Sequence, residues 1–451
     1  MERLTILGGG PAGLSVAFYA HRAGIQFDLY EKTAHLGGLC QTLHYQKHSY
    51  DTGAHRFHNR DPEITNDLKT LLGDALFEVS KPSKVFMDGR FIDFPPTPFG
   101  MFRSAGLRQM GRIGFDLVKA RSSKKKIVSF ADFAVQSFGE TLAKRFLLNY
   151  TEKVWGLPPE QLSPAVATKR LSGMSLGSLL VGLFSPSNRT NHIDGTFLYP
   201  TGGYGEIVKK MVDSLPSDSL RVDHEITGIE VTGDRIQSLR FGDIEVRPCT
   251  RVVSTIPLTL LIRLLGSQIY EKVAEAGASL RFRHIRLIFL RLARDEFTPN
   301  ASIYIPDREL CISRVSEPRN RCRTMAPVGE TGILAEIPCF RGDELDSLSN
   351  RDLYRRVITE LRGLKLVKPG WVLDWQHHYL PNAYPVYSLD YAQRVRLILD
   401  EISRFENLDI AGRNGLFFYS HVHDQMRFAK DYVNGLRTHT GEVRKELASS
   451  Q

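Results

Sequence analysis

The stretch Leu4–Gly24, LTILGGGPAGLSVAFYAHRAG, constrains this chain more tightly than any other part of it. An apolar run that ends in glycines and continues into helix-favouring residues reads as a buried strand, a tight turn and a helix. Gly8, Gly10 and Gly13 fit G-x-G-x-x-G. In that pattern the first glycine permits the turn, the second lets a pyrophosphate approach the backbone, and the third lets helix pack on strand. The helix N-terminus then faces the phosphates. A second strand, FDLYEK, brings Glu31 to a place 18 residues past Gly13, where a carboxylate can accept hydrogen bonds from an adenosine ribose. Strand, turn, helix, strand and acid in this order predict a dinucleotide site.

With 451 residues the chain is long enough for more than one domain. Its 42% hydrophobic and 24% charged residues are those of an ordinary globular protein. The apolar runs GSLLVGLF and LTLLIRLL fall well short of the ~20 residues of a membrane span. Met1 leads almost directly into the first strand, leaving no room for a signal peptide. Five scattered cysteines without a C-x-x-C pair predict a reducing, cytoplasmic setting and argue against structural zinc. The net charge of +9 leaves nucleic acid, an anionic membrane or a phosphorylated small molecule as partners. The densest basic run, KARSSKKK at Lys119–Lys126, follows the helix-like GLRQMGRIGFDLVKA. It reads as a solvated helix end, with peripheral membrane contact as the main alternative. Without interleaved aromatics it does not suggest a nucleic-acid surface.

A second local feature is YDTGAHRFHN, Tyr50–Asn59, with His55 and His58 three residues apart behind a Gly-Ala pair. Such a loop can ligate a metal, work as an acid/base pair or line a cofactor. Two histidines at this spacing need further ligands, and no cysteine or carboxylate cluster accompanies them, so no metal is expected. Either histidine can also simply hydrogen-bond its own loop.

Further segments extend the dinucleotide signal. Gly37 and Gly38 form a glycine pair in KTAHLGGLCQT, and YPTGGYGEIVKKM, RVVSTIP and LDIAGRNG follow at wide intervals. Over nearly its full length the chain resembles the FAD-binding superfamily of amine oxidases, protoporphyrinogen oxidase and flavin-dependent sugar mutases. The resemblance implies FAD at Gly8, Gly10, Ala12, Gly13, Glu31, Lys32, Gly38, Leu39, His55, Gly412, Arg413 and Met426. It implies an α/β fold: a Rossmann-like FAD core with an inserted helical domain and an antiparallel-sheet substrate domain. The expected parts are FAD-binding at 1–80, 197–265 and 405–451, helical at 100–196, and sheet at 81–99 and 266–404. Within them SKVFMDGRFIDFP reads as a hairpin about Asp88-Gly89, and 101–184 as mostly helical. LRVDHEITGIE and RIQSLRF read as antiparallel strands, and HIRLIFLRL and ASIYIPD as a half-buried sheet. NRDLYRRVITELRGL and DYAQRVRLILDEISRF read as helices.

The histidine loop resembles the G-P-H-x-F-H loop of UDP-galactopyranose mutases, which sets a histidine beside the flavin. Gly53, His55, Phe57 and His58 match, and Ala54 stands in place of the proline. NYTEKVWGLPPEQLSPAVATKRL resembles the mutase segment with a substrate-stacking tryptophan and an active-site arginine, giving Trp155 and Arg170. YIPDRELCISRVSEPRN resembles the strand pair that presents a second arginine, giving Arg314, with Ile312-Ser313 replacing the family's aromatic. NAYPVYSLD gives Tyr384, and GRNGLFFYSHVHDQM gives Arg413 at the flavin and Tyr419 at the diphosphate. By this resemblance His55, Arg170 and Arg314 are catalytic, and Trp155, Tyr384 and Tyr419 bind a nucleotide-diphosphate sugar. The implied reaction interconverts pyranose and furanose rings through a reduced-flavin N5–sugar adduct, with NAD(P)H or another reductant supplying the electrons. Met174 stands where prokaryotic mutases often carry a further arginine, so the sugar and nucleotide stay open. An FAD-dependent oxidoreductase of the same superfamily is the alternative. For either arginine a buried salt bridge competes with a ligand role, and for either tyrosine ordinary core packing does.

Overall fold

The structure, a computed structural model, describes residues 3–94, 111–120, 122, 125–170 and 196–438, with the backbone alone at 94, 168–170 and 437–438. Strand Leu4–Leu7 is buried at every position, as a parallel strand covered on both faces requires. It is the middle of five parallel strands in the order Leu408–Ile410, Arg251–Ser254, Leu4–Leu7, Phe27–Tyr30, Leu220–Arg221. Three distant parts of the sequence therefore meet in one sheet. Helix Pro11–Arg22 leaves the first strand and packs on the C-terminal helix Val422–Thr438. Asp67, on helix Pro62–Leu72, ties the two together: it accepts from Tyr19 Oη (2.8 Å), Arg22 Nη1 (3.1 Å) and Lys430 Nζ (2.7 Å). Three donors satisfy a carboxylate that would otherwise be costly to bury.

The stretch LRVDHEITGIE is not a single antiparallel strand. Leu220–Arg221 joins the edge of the parallel sheet, Asp223 turns the chain with φ of 56°, and Ile226–Thr232 pairs antiparallel with Arg235–Phe241. Glu245–Pro248 completes that three-stranded sheet.

A second large sheet has seven strands in the order Val372–Pro385, Phe282–Leu292, Thr331–Cys339, Arg314–Ser316, Ser302–Tyr304, Ser83–Met87, Arg90–Phe94. The last two form a hairpin whose turn residues Asp88 and Gly89 have φ of 53° and 70°, the positive pair that a tight two-residue turn needs. Phe282–Leu292 departs from the half-buried expectation, being buried almost throughout. Leu353, Val357 and Leu361 of helix Asn350–Gly363 cover one face of the sheet, and on the other Tyr50 packs with the sheet's own Leu287, Phe289, Leu334 and Leu380. Its polar positions include the buried arginines Arg283 and Arg286. Arg286 donates to the carbonyls of Leu345 (2.8 Å) and Leu348 (2.7 Å) and to Asn350 Oδ1 (2.6 Å). Arg283 donates to the carbonyls of Val154 (3.2 Å) and Lys153 (3.1 Å), anchoring the helical insertion to the sheet.

That insertion includes a helix at 111–120, Phe130–Phe138, Asn149–Trp155 and Ala165–Arg170. Ser129 and Asp132 form a reciprocal capping box at the start of Phe130–Phe138. Ala143–Leu148 winds as a π-helix, a geometry that often marks functional sites.

Candidate active site

A cavity of 1490 Å³ runs from the glycine turn, past Glu31, to an inner end where arginines and tyrosines converge. Gly10 is the N-cap of helix Pro11–Arg22 and offers no capping side chain; Pro11 has no N–H to give. The remaining first-turn donors are left for a ligand. A Cβ at Gly10 would meet only the Cα of Gly38, at 3.9 Å, so this backbone opens on the cavity. A Cβ at Gly13 would sit 1.9 Å from the Gly8 carbonyl oxygen, so Gly13 serves the packing of helix on strand. Glu31 accepts from Gly9 N–H (2.8 Å) and from Thr33 N–H (3.0 Å) and Oγ1 (2.8 Å). These bonds fix its carboxylate at the cavity wall while Oε2 keeps a lone pair for a ribose.

Gly8, Ala12, Lys32, Gly38 and Leu39 also line the cavity. Gly412, with φ of 80°, packs instead on the first helix, where an added Cβ would lie 2.6 Å from that of Ala12. That contact fixes the backbone from which the next residue, Arg413, lines the cavity. Met426 requires a correction: its side chain is fully buried in the core under the parallel sheet, and its neighbour Gln425 lines the cavity.

At the inner end the His55 ring stacks on Tyr204, centroids 4.9 Å apart and planes at 20°. Its Nε2 is buried without a partner. Burial first, then the charges of Arg314, Arg321 and Arg413, push its pKa down to about 3. His55 is therefore neutral at neutral pH. His58 faces His421 across 6.3 Å; burial pushes both to about 3 as well. Among the described residues no group of three or more His, Cys, Asp or Glu side chains is arranged to hold a metal.

Arg413 has Nε and Nη2 buried without partners, and Asn414 Oδ1 beside it is in the same condition. The guanidinium lies 4.2 Å from the ring centroid of Tyr419 and 5.0 Å from that of Tyr384, two rings stacked at 6.0 Å. Leaving such donors unsatisfied is expensive, so their clustering marks a place that a bound polar group completes. Uncapped helix, ribose-ready carboxylate and orphaned polar atoms in one cleft fit a flavin dinucleotide with a polar substrate beyond it.

Arg314 is held differently. It stands opposite Glu336 in the register of adjacent antiparallel strands. Its Nε and Nη2 fork onto the two carboxylate oxygens at 2.9 and 2.7 Å. Nη1 is the remaining nitrogen. Trp155 is 1% exposed and stacks on Tyr387 (5.5 Å, 30°), whose hydroxyl accepts the Tyr419 N–H at 2.6 Å. It thus braces the tyrosine segment and reaches the cavity only as part of its wall. Arg170 is the last described residue of its helix, and its side chain, like Met174, lies outside the described residues. His55, Trp155, Arg314, Tyr384, Arg413 and Tyr419 share the one cavity. Glu336, Tyr204 and Asn414 are site residues that sequence reasoning missed. Asn414, inside GRNG, and Tyr204, inside YPTGGYGEIVKKM, carried a local signal; Glu336 carried none.

Residues 11–421 match the family described as flavin containing amine oxidoreductase, and the chain belongs to that family. Protoporphyrinogen oxidase 2 of Arabidopsis thaliana is 20% identical over 475 aligned residues, covering 94% of this chain and 90% of the relative. The dTDP-fucopyranose mutase of Escherichia coli is 24% identical over 178 residues, 38% of this chain and 46% of that enzyme. Among solved structures, a reduced UDP-galactopyranose mutase superposes with a TM-score of 0.84 at 18% identity, covering 99% of this chain and 98% of the other. At these identities the likeness between structures is one of fold.

Proposed function

We propose that this protein is a flavin-dependent sugar mutase that interconverts the pyranose and furanose forms of a nucleotide-diphosphate sugar. The observation that carries the reading is Arg413, which the resemblance puts at the flavin but whose two buried, unpartnered donors lie beside Tyr384 and Tyr419 at the cavity's inner end, where we assign them to the substrate. A diphosphate supplies the acceptors such a guanidinium needs, and two phenols can donate beside it. Arg314 keeps Nη1 for the same group, and its pairing to Glu336 fixes where that nitrogen points. Neutral His55 offers Nε2 as a single donor or acceptor without adding charge. When bound, FAD in its reduced state supplies the nucleophilic ring nitrogen for the sugar's anomeric carbon. The names of the two mutase relatives support a nucleotide-sugar substrate.

A second reading, an FAD-dependent oxidoreductase, is favoured by the near full-length likeness to the Arabidopsis oxidase. The charge-balanced Arg314–Glu336 pair favours it too. Nucleotide sugars should raise the melting temperature of the flavin-loaded wild type, since a ligand that binds only the folded state stabilises it. Arg413→Ala should retain flavin and lose that shift. A shift of equal size in the variant, or loss of its flavin, would remove Arg413 from the substrate site.

A further inference from the structure

Four of the eleven large hydrophobic side chains exposed among the described residues fall between positions 115 and 128. Phe115 is 68% exposed and Val118 67%, one helical turn apart on the helix 111–120; Ile127 (41%) and Val128 (55%) precede the next helix. Exposed Arg112 and Lys119 flank the first pair, and exposed Lys125 and Lys126 flank the second. The acids nearby are already engaged. Asp116 accepts from Thr141 N–H (3.0 Å) and Oγ1 (2.5 Å), and Asp132 caps its helix and pairs with Lys125 (2.8 Å). What faces outward is apolar prongs in a basic field.

The inner side of the same helix explains its place. Ile113 and Leu117 pack on Phe138, Leu142 and Phe146, and Phe146 also lines the active-site cavity. One layer of side chains separates the basic, apolar surface from the substrate space. Bulky hydrophobics set among lysines and arginines suit a negatively charged bilayer, where apolar side chains enter the headgroup region and cations meet anionic lipid. A nucleic acid would want several aromatics for stacking along a groove, and this patch has one, Phe115. A protein partner offers no use for the basic surround unless it is acidic. Among the described residues no helix is long and apolar enough to cross a membrane, so contact would be at the surface. We propose that the helical insertion docks this enzyme on anionic membrane through Phe115, Val118, Ile127 and Val128, placing the cavity next to the bilayer.

The test uses flavin-loaded full-length protein and vesicles of phosphatidylcholine with or without phosphatidylglycerol, scored by flotation. Wild type should float with the anionic vesicles, stay behind with the neutral ones, and release as salt is raised. Phe115→Glu with Val118→Glu should lower binding more than tenfold while the flavin spectrum is unchanged. Lys119→Glu with Lys126→Glu should weaken binding and flatten its salt dependence. Equal binding to both vesicle types, no binding by wild type, or undiminished binding by the Phe115/Val118 variant would each overturn the proposal. So would a wild-type dimer in solution that the same variant dissociates, since the patch would then be a contact between two copies.

Discussion

Arg413 and Arg314 bring the same charge to one cavity under different conditions, and mutation should separate them. The Arg413 donors Nε and Nη2 have no protein partner, so Arg413→Ala removes a charge-assisted contact to substrate of ~1.5–3 kcal/mol, about 10- to 150-fold in affinity. Titrating nucleotide sugar into the flavin-loaded variant measures this, with little change expected in melting temperature. Arg314→Ala instead strands Glu336, a buried carboxylate, without its fork. Removing one member of a buried pair costs ~3–5 kcal/mol, so this variant should lose stability first and affinity as a consequence. Denaturant midpoints of the two variants make the comparison.

The histidines carry a pH signature at the same scale. His55, His58 and His421 are each pushed to about 3 in the folded protein, below the ordinary value of ~6.5. Between those values the unfolded chain binds more protons than the folded one. Their contribution to stability is therefore present above pH ~6.5 and is lost as pH falls toward the folded-state values. A His58→Gln/His421→Gln variant should show a shallower fall in melting temperature over this acid range than wild type. Identical slopes would mean that these two rings are not held neutral by the fold.

At the scale of elements, the glycine turn divides into two tasks. Gly10→Ala, whose Cβ has open space before it, should fold and bind flavin weakly. Gly13→Ala, whose Cβ would overlap the Gly8 carbonyl, should disturb the strand–helix unit itself. Circular dichroism and flavin absorbance per mole of protein distinguish the two outcomes. This turn was legible in the sequence because its geometry is local, and the Asp88-Gly89 hairpin was legible for the same reason. The buried strand Phe282–Leu292 misled because arginines satisfied by distant carbonyls look, in sequence, like solvent-facing positions. The Arg314–Glu336 pair depends on strand register between residues 22 positions apart, which no local pattern encodes. Leu220–Arg221 was misassigned because the edge of a parallel sheet is chosen by tertiary contact with Phe27–Tyr30. Met426 shares the last helix with Gln425, and the helix's rotation decides which of the two meets the cavity.

For the whole molecule, the family relation leaves two chemistries on one scaffold, and electron balance separates them. A mutase makes an isomer, so a reduced flavin must be present at the start and remain reduced after each turnover. An oxidoreductase begins oxidised and passes electrons onward every cycle. The decisive measurement is turnover of a nucleotide sugar by dithionite-reduced enzyme without oxygen, followed together with the flavin spectrum. The account predicts many turnovers of ring isomer with no return of the oxidised spectrum, and almost none from oxidised enzyme. Product formed only by oxidised enzyme, with oxygen consumed in step, would contradict it.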